Sequence, residues 1–271
     1  MPRSRRSRRV LPVFALAAAA FGAVAAGTVT TGGSVPAPAG AETEAARSLP
    51  SPVTPAFVPG PPRRLGSTRH LSWWAPVRRP VVARTAPDAT AAVVTAVGTR
   101  TPDGTANVLS VIRQRGSAAG RLWVQVRLPV LPNGTTGWVP RRALGGYGTV
   151  DTRLDVDLRR LRATLFRAGR PVFRAAVGIG APQWATPTGT FYVRSKLTRY
   201  RSPFYGPVAF ATSARSPTLT DWPGGGFVGI HGTNRPDQIP GAVSHGCIRL
   251  RNADILALAR LMPVGTPLTI H

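Results

Sequence analysis

Cys247 is the only cysteine in a chain of 271 residues, and it stands two residues after His245 and sixteen after His231. A thiol and two imidazoles at this spacing could be core filler, a metal site, or a nucleophile with its base. A free thiol has a pKa near about 8.5, so little thiolate exists at neutral pH and a nucleophilic cysteine needs a base beside it. Residues two apart in a strand share a face, but Gly246, between His245 and Cys247, permits a tight turn that points them apart. His231, in the stretch VGIHGTN and arriving on a separate strand, is therefore the better placed general base. Arg249, two residues past the thiol, would lower its pKa or grip a substrate carboxylate in bidentate fashion. Gly246 would leave the backbone N–H groups around Cys247 open to a developing oxyanion. Plainer readings stand beside these: Arg249 as one more solvated charge, Gly246 as an ordinary turn glycine. A zinc site of His231, His245 and Cys247 would lack an obvious fourth protein ligand, so a metal is not expected.

The elements that must carry these groups are mostly strands. RLDVDL and LRATLF alternate apolar with polar residues, RAGR supplies a turn, and PVFRAAVGIG continues as a second arm, which predicts a hairpin. One helix is expected: Asn252 as its N-cap, Asp254 at the positive end of its dipole, ILALARLM as its body and Pro263 as its stop. GTPLTI closes the domain as a short strand. Earlier, PVVART, AAVVTAV, VLSVI and LWVQVRL are separated by the turn signals APD, PDGT and PNGTTG, the rhythm of a small all-β unit. The expected fold class is mainly β: a small N-terminal all-β unit, then a β-rich domain with one main helix.

Composition sets the wider frame. A hydrophobic fraction of 43% is ample for a packed core, and the formal charge of +25 is almost wholly arginine, with Lys196 the sole lysine. Arginine binds carboxylate and phosphate bidentately, which implies a polyanionic neighbour: nucleic acid, anionic lipid or an acidic cell wall. Arg3, Arg5, Arg6, Arg8 and Arg9 precede an apolar stretch from Leu11 to Ala26, within which Ala23-Val24-Ala25 has the small-x-small pattern that export peptidases cut. Residues 1–31 therefore read as a signal peptide or a signal anchor, the only segment expected to touch a membrane, and localisation as extracytoplasmic, secreted to the cell wall or anchored at the outer face of the cytoplasmic membrane. An exported chain with one cysteine forms no internal disulfide. Residues 32–73 are a Pro/Gly/Ala-rich linker. A nucleic-acid binder would explain the charge and not the signal, so no specific nucleic acid is expected.

With these residues laid out, two resemblances emerge. VVARTAP, LWVQV and GWVPRRAL resemble the bacterial Src-homology-3-like barrel over residues 74–145; the resemblance implies a wall-binding module or spacer, while Trp123 and Trp138 read equally as core residues of a scaffold. GIHGTN followed by SHGCIRLRN, with VGIGAPQWATPTGTFYV upstream, resembles the L,D-transpeptidase catalytic domain, the YkuD family, over residues 147–271. That resemblance implies Cys247 as nucleophile and His231 as base, its ring oriented by the carbonyl of Gly232. It also implies Ser244, His245 and Gly246 as the turn that shapes the site and its oxyanion hole, with Ser244, Arg249 and Asn252 on the substrate side. The reaction implied is two-step acyl transfer. The thiolate attacks the carbonyl joining an L-centre to a D-amino acid in a peptidoglycan stem tetrapeptide, D-alanine leaves, and an amine of a neighbouring stem resolves the thioester; water in its place makes a carboxypeptidase. Stem peptides, anionic wall polymers and carbapenem-type inhibitors are the implied partners, and a non-catalytic wall-binding protein is the rival. One departure from similar sequences is Pro240, before Gly241 in the short loop from Thr233 to Val243, which bears on substrate access.

Overall fold

A computed structural model describes residues 63–64, 70–117, 120–198, 202–219 and 225–271. The expected signal segment, 1–31, and the linker at 32–62 and 65–69 lie outside the described residues. No helix among the described residues is long and apolar enough to cross a membrane.

The N-terminal part is an antiparallel sheet running Val93–Val97, Val81–Arg84, Thr136–Pro140, Leu122–Arg127, Val108–Gly116, Ser72–Pro76 and Gly148–Val150, with Arg63–Arg64 added beside Val108–Gly116. The four expected strands are all present. Alternation along them sends Ala75, Ala83, Leu109, Val124, Val126 and Val139 into one apolar cluster, each fully buried or nearly so. Trp123 and Trp138 are buried too, but stand outside that cluster.

The second part is a ten-stranded mixed sheet with one α-helix, so the mainly β class with a single main helix holds. The expected hairpin is a three-strand meander of Thr152–Asp157, Arg162–Arg167 and Arg170–Ala176. Pro267–Ile270 lies parallel to Thr152–Asp157 and antiparallel to Gly189–Leu197, stitching the chain's last strand into the middle of the sheet. From there the order continues through Ala209–Arg215, Phe227–His231, Ile248–Arg249, Gly178–Gly180 and Gly241–Ser244. The helix Asn252–Leu261 buries Ile255, Leu258 and Ala259, spaced three and four apart, against the sheet core.

The helix begins differently from the sequence expectation. Arg251, in extended backbone, is the N-cap and makes no side-chain cap bond, while Asn252 is the first residue inside the helix. The Asn252 side chain is occupied elsewhere: its Oδ1 accepts the Thr233 N–H at 2.9 Å. Standing inside the helix with its side-chain oxygen turned to another loop, Asn252 does not cap the helix's first turn.

Candidate active site

Register decides the site. Phe227–His231 and Ile248–Arg249 are neighbouring parallel strands paired Ile230 to Ile248 and His231 to Arg249, which sets Cys247 level with Gly229. Side chains alternate between the two faces of a sheet. Ile230 and Ile248 are both fully buried in the core, so the opposite face carries His231, Arg249, Cys247 and the bare Cα of Gly229. A period of two, applied to two strands sixteen residues apart, thus brings thiol, imidazole and guanidinium to one surface.

At that surface the Gly229 N–H donates to Cys247 Sγ at 3.3 Å. The position a Cβ on Gly229 would take lies 3.8 Å from Cys247 Sγ and 3.8 Å from His231 Cδ2, so sulfur and ring gather around the space that glycine leaves. His231, 2% exposed, donates from Nδ1 to the carbonyl of Gly232 at 2.6 Å. That bond commits Nδ1 as the protonated nitrogen and leaves Nε2 with its lone pair, as a general base requires. Gly232 is itself wedged: a Cβ there would sit 2.3 Å from Asn252 Oδ1 and 3.1 Å from Gly206 Cα.

Burial sets the charge states. Desolvation pulls His231 down to about 4, against a smaller raising effect of the Gly232 bond and a further lowering by Arg249. Desolvation also raises the Cys247 thiol, outweighing the Gly229 N–H and Arg249, which both pull it down. The resting pair is therefore a neutral thiol beside a neutral imidazole. Arg249 is 7% exposed, and its Nε has no hydrogen-bond partner. Burial lowers its pKa, Cys247 and Tyr205 raise it, and its ζ carbon lies 4.9 Å from the Phe204 ring centroid. It lines the cleft with Cys247, His231, His245, Tyr205 and Phe227, placing an incompletely satisfied donor fork where a carboxylate can reach it.

The turn before the thiol is held from within. Ser244, 1% exposed, donates from Oγ to the Cys247 carbonyl at 2.6 Å and accepts the Gly246 N–H at 3.1 Å. Ser244, expected on the substrate side, has its hydroxyl engaged inside the turn. The Gly246 N–H is likewise taken by Ser244 and is not open to an oxyanion. The N–H of Cys247 itself donates to no protein acceptor among the described residues. Gly246 has φ +111, a left-handed conformation that glycine adopts without strain. Asn252, also expected on the substrate side, accepts the Thr233 N–H and is not among the residues lining the cleft. His245 does line it, with its ring 4.0 Å from that of Trp184.

Some residues of the site were not singled out from sequence. Thr186, from the quoted segment TPTG, accepts the Gly180 N–H at 2.8 Å and donates to the Gly246 carbonyl at 2.9 Å, tying the turn to the Gly178–Gly180 strand. Tyr205 packs edge-on against His231 with centroids 4.7 Å apart. Gly229 sat unremarked inside VGIHGTN, its only signal a side-chain-free position two residues before the histidine. No group of three metal-ligating side chains converges among the described residues.

Residues 151–270 match the YkuD family, described as the L,D-transpeptidase catalytic domain. A Bacillus subtilis protein named as the L,D-transpeptidase YkuD is 32% identical over 123 residues, which are 45% of this chain and 68% of that protein. Its namesake from Bacillus licheniformis is 33% identical over 122 residues, 45% of this chain and 67% of the relative. Among solved structures, an Enterococcus faecium L,D-transpeptidase aligns at 25% identity with a TM-score of 0.36, covering 44% of this chain and 49% of the other, so this chain spans about half of that enzyme's length.

Proposed function

The chain belongs to the L,D-transpeptidase family of the YkuD type, and from that premise we propose that it is a cysteine acyltransferase of peptidoglycan stem peptides. The observation that carries the reading is the grouping of Cys247 Sγ and His231 around Gly229, with Nδ1 of His231 fixed on the Gly232 carbonyl. The donor tetrapeptide enters with its terminal carboxylate toward Arg249. His231 Nε2 takes the thiol proton as sulfur attacks the carbonyl preceding D-alanine, and the oxyanion draws on the Cys247 N–H. The imidazolium then gives its proton to the departing D-alanine amine, leaving a thioester. An amine of a second stem loses its proton to the same imidazole, attacks the thioester and releases the thiol, so protons and bonds balance over the cycle. Carbapenem-type β-lactams present a strained acyl carbon to the same sulfur.

The remaining readings belong to the same proposal. The basic head and apolar run fit export, and the arginine excess fits retention by anionic wall polymers through salt-sensitive attraction. The N-terminal sheet, similar in sequence to bacterial Src-homology-3-like barrels, serves as a wall-facing module or spacer. The test offers purified protein a tetrapeptide stem with and without an amine acceptor and compares it with Cys247→Ala. D-alanine release that vanishes on substitution supports the nucleophile, and a crosslinked product marks a transferase. Release unchanged in Cys247→Ala refutes the assignment, and release without crosslinked product makes the enzyme a carboxypeptidase.

A further inference from the structure

Two asparagines of the N-terminal part hold arginines that stack on a residue lining the thiol cleft. Asn133, in the turn before Thr136–Pro140, donates from Nδ2 to the Arg215 carbonyl at 2.7 Å and accepts the Arg215 N–H at Oδ1 at 3.0 Å. One side chain thereby supplies both bonds that a neighbouring strand would give to the end of Ala209–Arg215. Asn107, 4% exposed, accepts from Arg194 Nη2 at 3.2 Å, and its own Nδ2 is fixed on the Gly98 carbonyl at 2.8 Å. The two arginines held in this way converge on one ring: their ζ carbons lie 4.5 Å (Arg194) and 4.9 Å (Arg215) from the Phe227 centroid.

Phe227 opens the strand that carries His231, pairs with Arg215, and lines the cleft with Cys247 and Arg249. Neither Arg194 nor Arg215 has a carboxylate partner among the described ion pairs. Their Nε atoms are buried without a hydrogen bond, so the Arg194 guanidinium is oriented by Asn107 and the ring, and that of Arg215 by the Asn133 bonds to its backbone, by the Gly225 carbonyl that its Nη2 reaches at 2.6 Å, and by the ring. In the same seam the fully buried Tyr192 donates its hydroxyl to the Val108 carbonyl at 3.2 Å.

We infer that Asn107 and Asn133 are positioning residues for substrate binding. Through Arg194 and Arg215 they set Phe227, and with it one wall of the cleft, so that the N-terminal sheet is a working part of the active site. The inference rests on the acyl-transfer reading above. Neither asparagine touches the thiol or the imidazole, so substrate affinity should respond and the reactivity of the sulfur should not.

The test uses the full chain and the substitutions Asn107→Ala, Asn133→Ala and Phe227→Ala, alone and combined. It measures KM and kcat for D-alanine release, the rate of Cys247 alkylation by iodoacetamide, and the thermal midpoint. Each asparagine variant is expected to raise KM about fivefold, the size of a modest coupling energy, with kcat and alkylation unchanged. In the Phe227→Ala background the asparagine substitutions should add nothing, because the ring through which they act is gone. A KM that stays at the wild-type value, or asparagine effects that multiply in full without Phe227, overturns the inference. Should Asn133→Ala melt below the assay temperature, Asn107→Ala decides by the same comparison. The two readings fail separately. A wild type that alkylates but releases no D-alanine defeats acyl transfer, and binding of the tetrapeptide to Cys247→Ala chains with and without the asparagine changes then decides this inference. Unchanged or absent binding overturns it.

Discussion

Gly229→Ala separates folding from catalysis at this site. The added methyl would stand 3.5 Å from the Phe210 carbonyl oxygen, 3.8 Å from Cys247 Sγ and 3.8 Å from His231 Cδ2, all ordinary contact distances. The backbone there is not left-handed, so alanine fits without strain. Alanine in place of a strand glycine removes chain entropy from the unfolded state, and stability should hold or rise by about 0.5–1 kcal/mol. The same methyl occupies the space beside both sulfur and ring, where the substrate carbonyl must enter and the proton must cross. Misplacing reacting groups by about 1 Å costs on the order of 100-fold in rate, or about 3 kcal/mol of barrier. Thermal melting and thioester formation with a tetrapeptide stem, followed by mass spectrometry, should therefore move apart: a native midpoint with acylation slowed about 100-fold. A variant that melts normally and acylates at the wild-type rate would show that the empty face of Gly229 is not the reaction space.

Acid should act on His231 in two ways. Its folded value of about 4 lies below the 6.5 of an unperturbed histidine, so as pH falls the unfolded chain takes the proton first. The stabilisation is complete above about pH 6.5 and is lost between there and pH 4, about 3 kcal/mol in all, which urea melts across that window would read. Because the neutral imidazole is the base, the acid limb of thiol acylation should fall near pH 4, and a limb at pH 6 to 7 would contradict the buried neutral pair. Thr186→Val keeps shape but orphans the Gly180 N–H and the Gly246 carbonyl, with an expected loss of about 1–3 kcal/mol in chemical denaturation and slower acylation. Asn252→Ala frees the Thr233 N–H and should lower kcat through a looser His231, while helix content by circular dichroism stays unchanged because the cap lies elsewhere. Arg249→Lys keeps the charge and loses the fork, and should raise KM for the donor stem more than it slows alkylation by iodoacetamide.

Much of the site could be read along the chain because it depends on residue type and short spacing. A cysteine that follows a His-Gly pair, an earlier histidine flanked by glycines, and an arginine two residues on are covalent facts, and strand alternation needs only a period of two. The mainly β class, the meander and the single helix came from the same local patterns. Misreadings arose where a polar side chain had more than one partner to choose from. Asn252 suits a helix cap in any sequence, yet the tertiary fold sets the Thr233 N–H against it; Ser244 and the Gly246 N–H look open until the turn closes on itself. Sequence alone determined which groups are available for the chemistry. The pairing of Ile230 with Ile248, which sets the thiol level with Gly229, and the burial that keeps thiol and imidazole both neutral were decided only by packing, because register and desolvation are properties of surfaces brought together from distant parts of the chain.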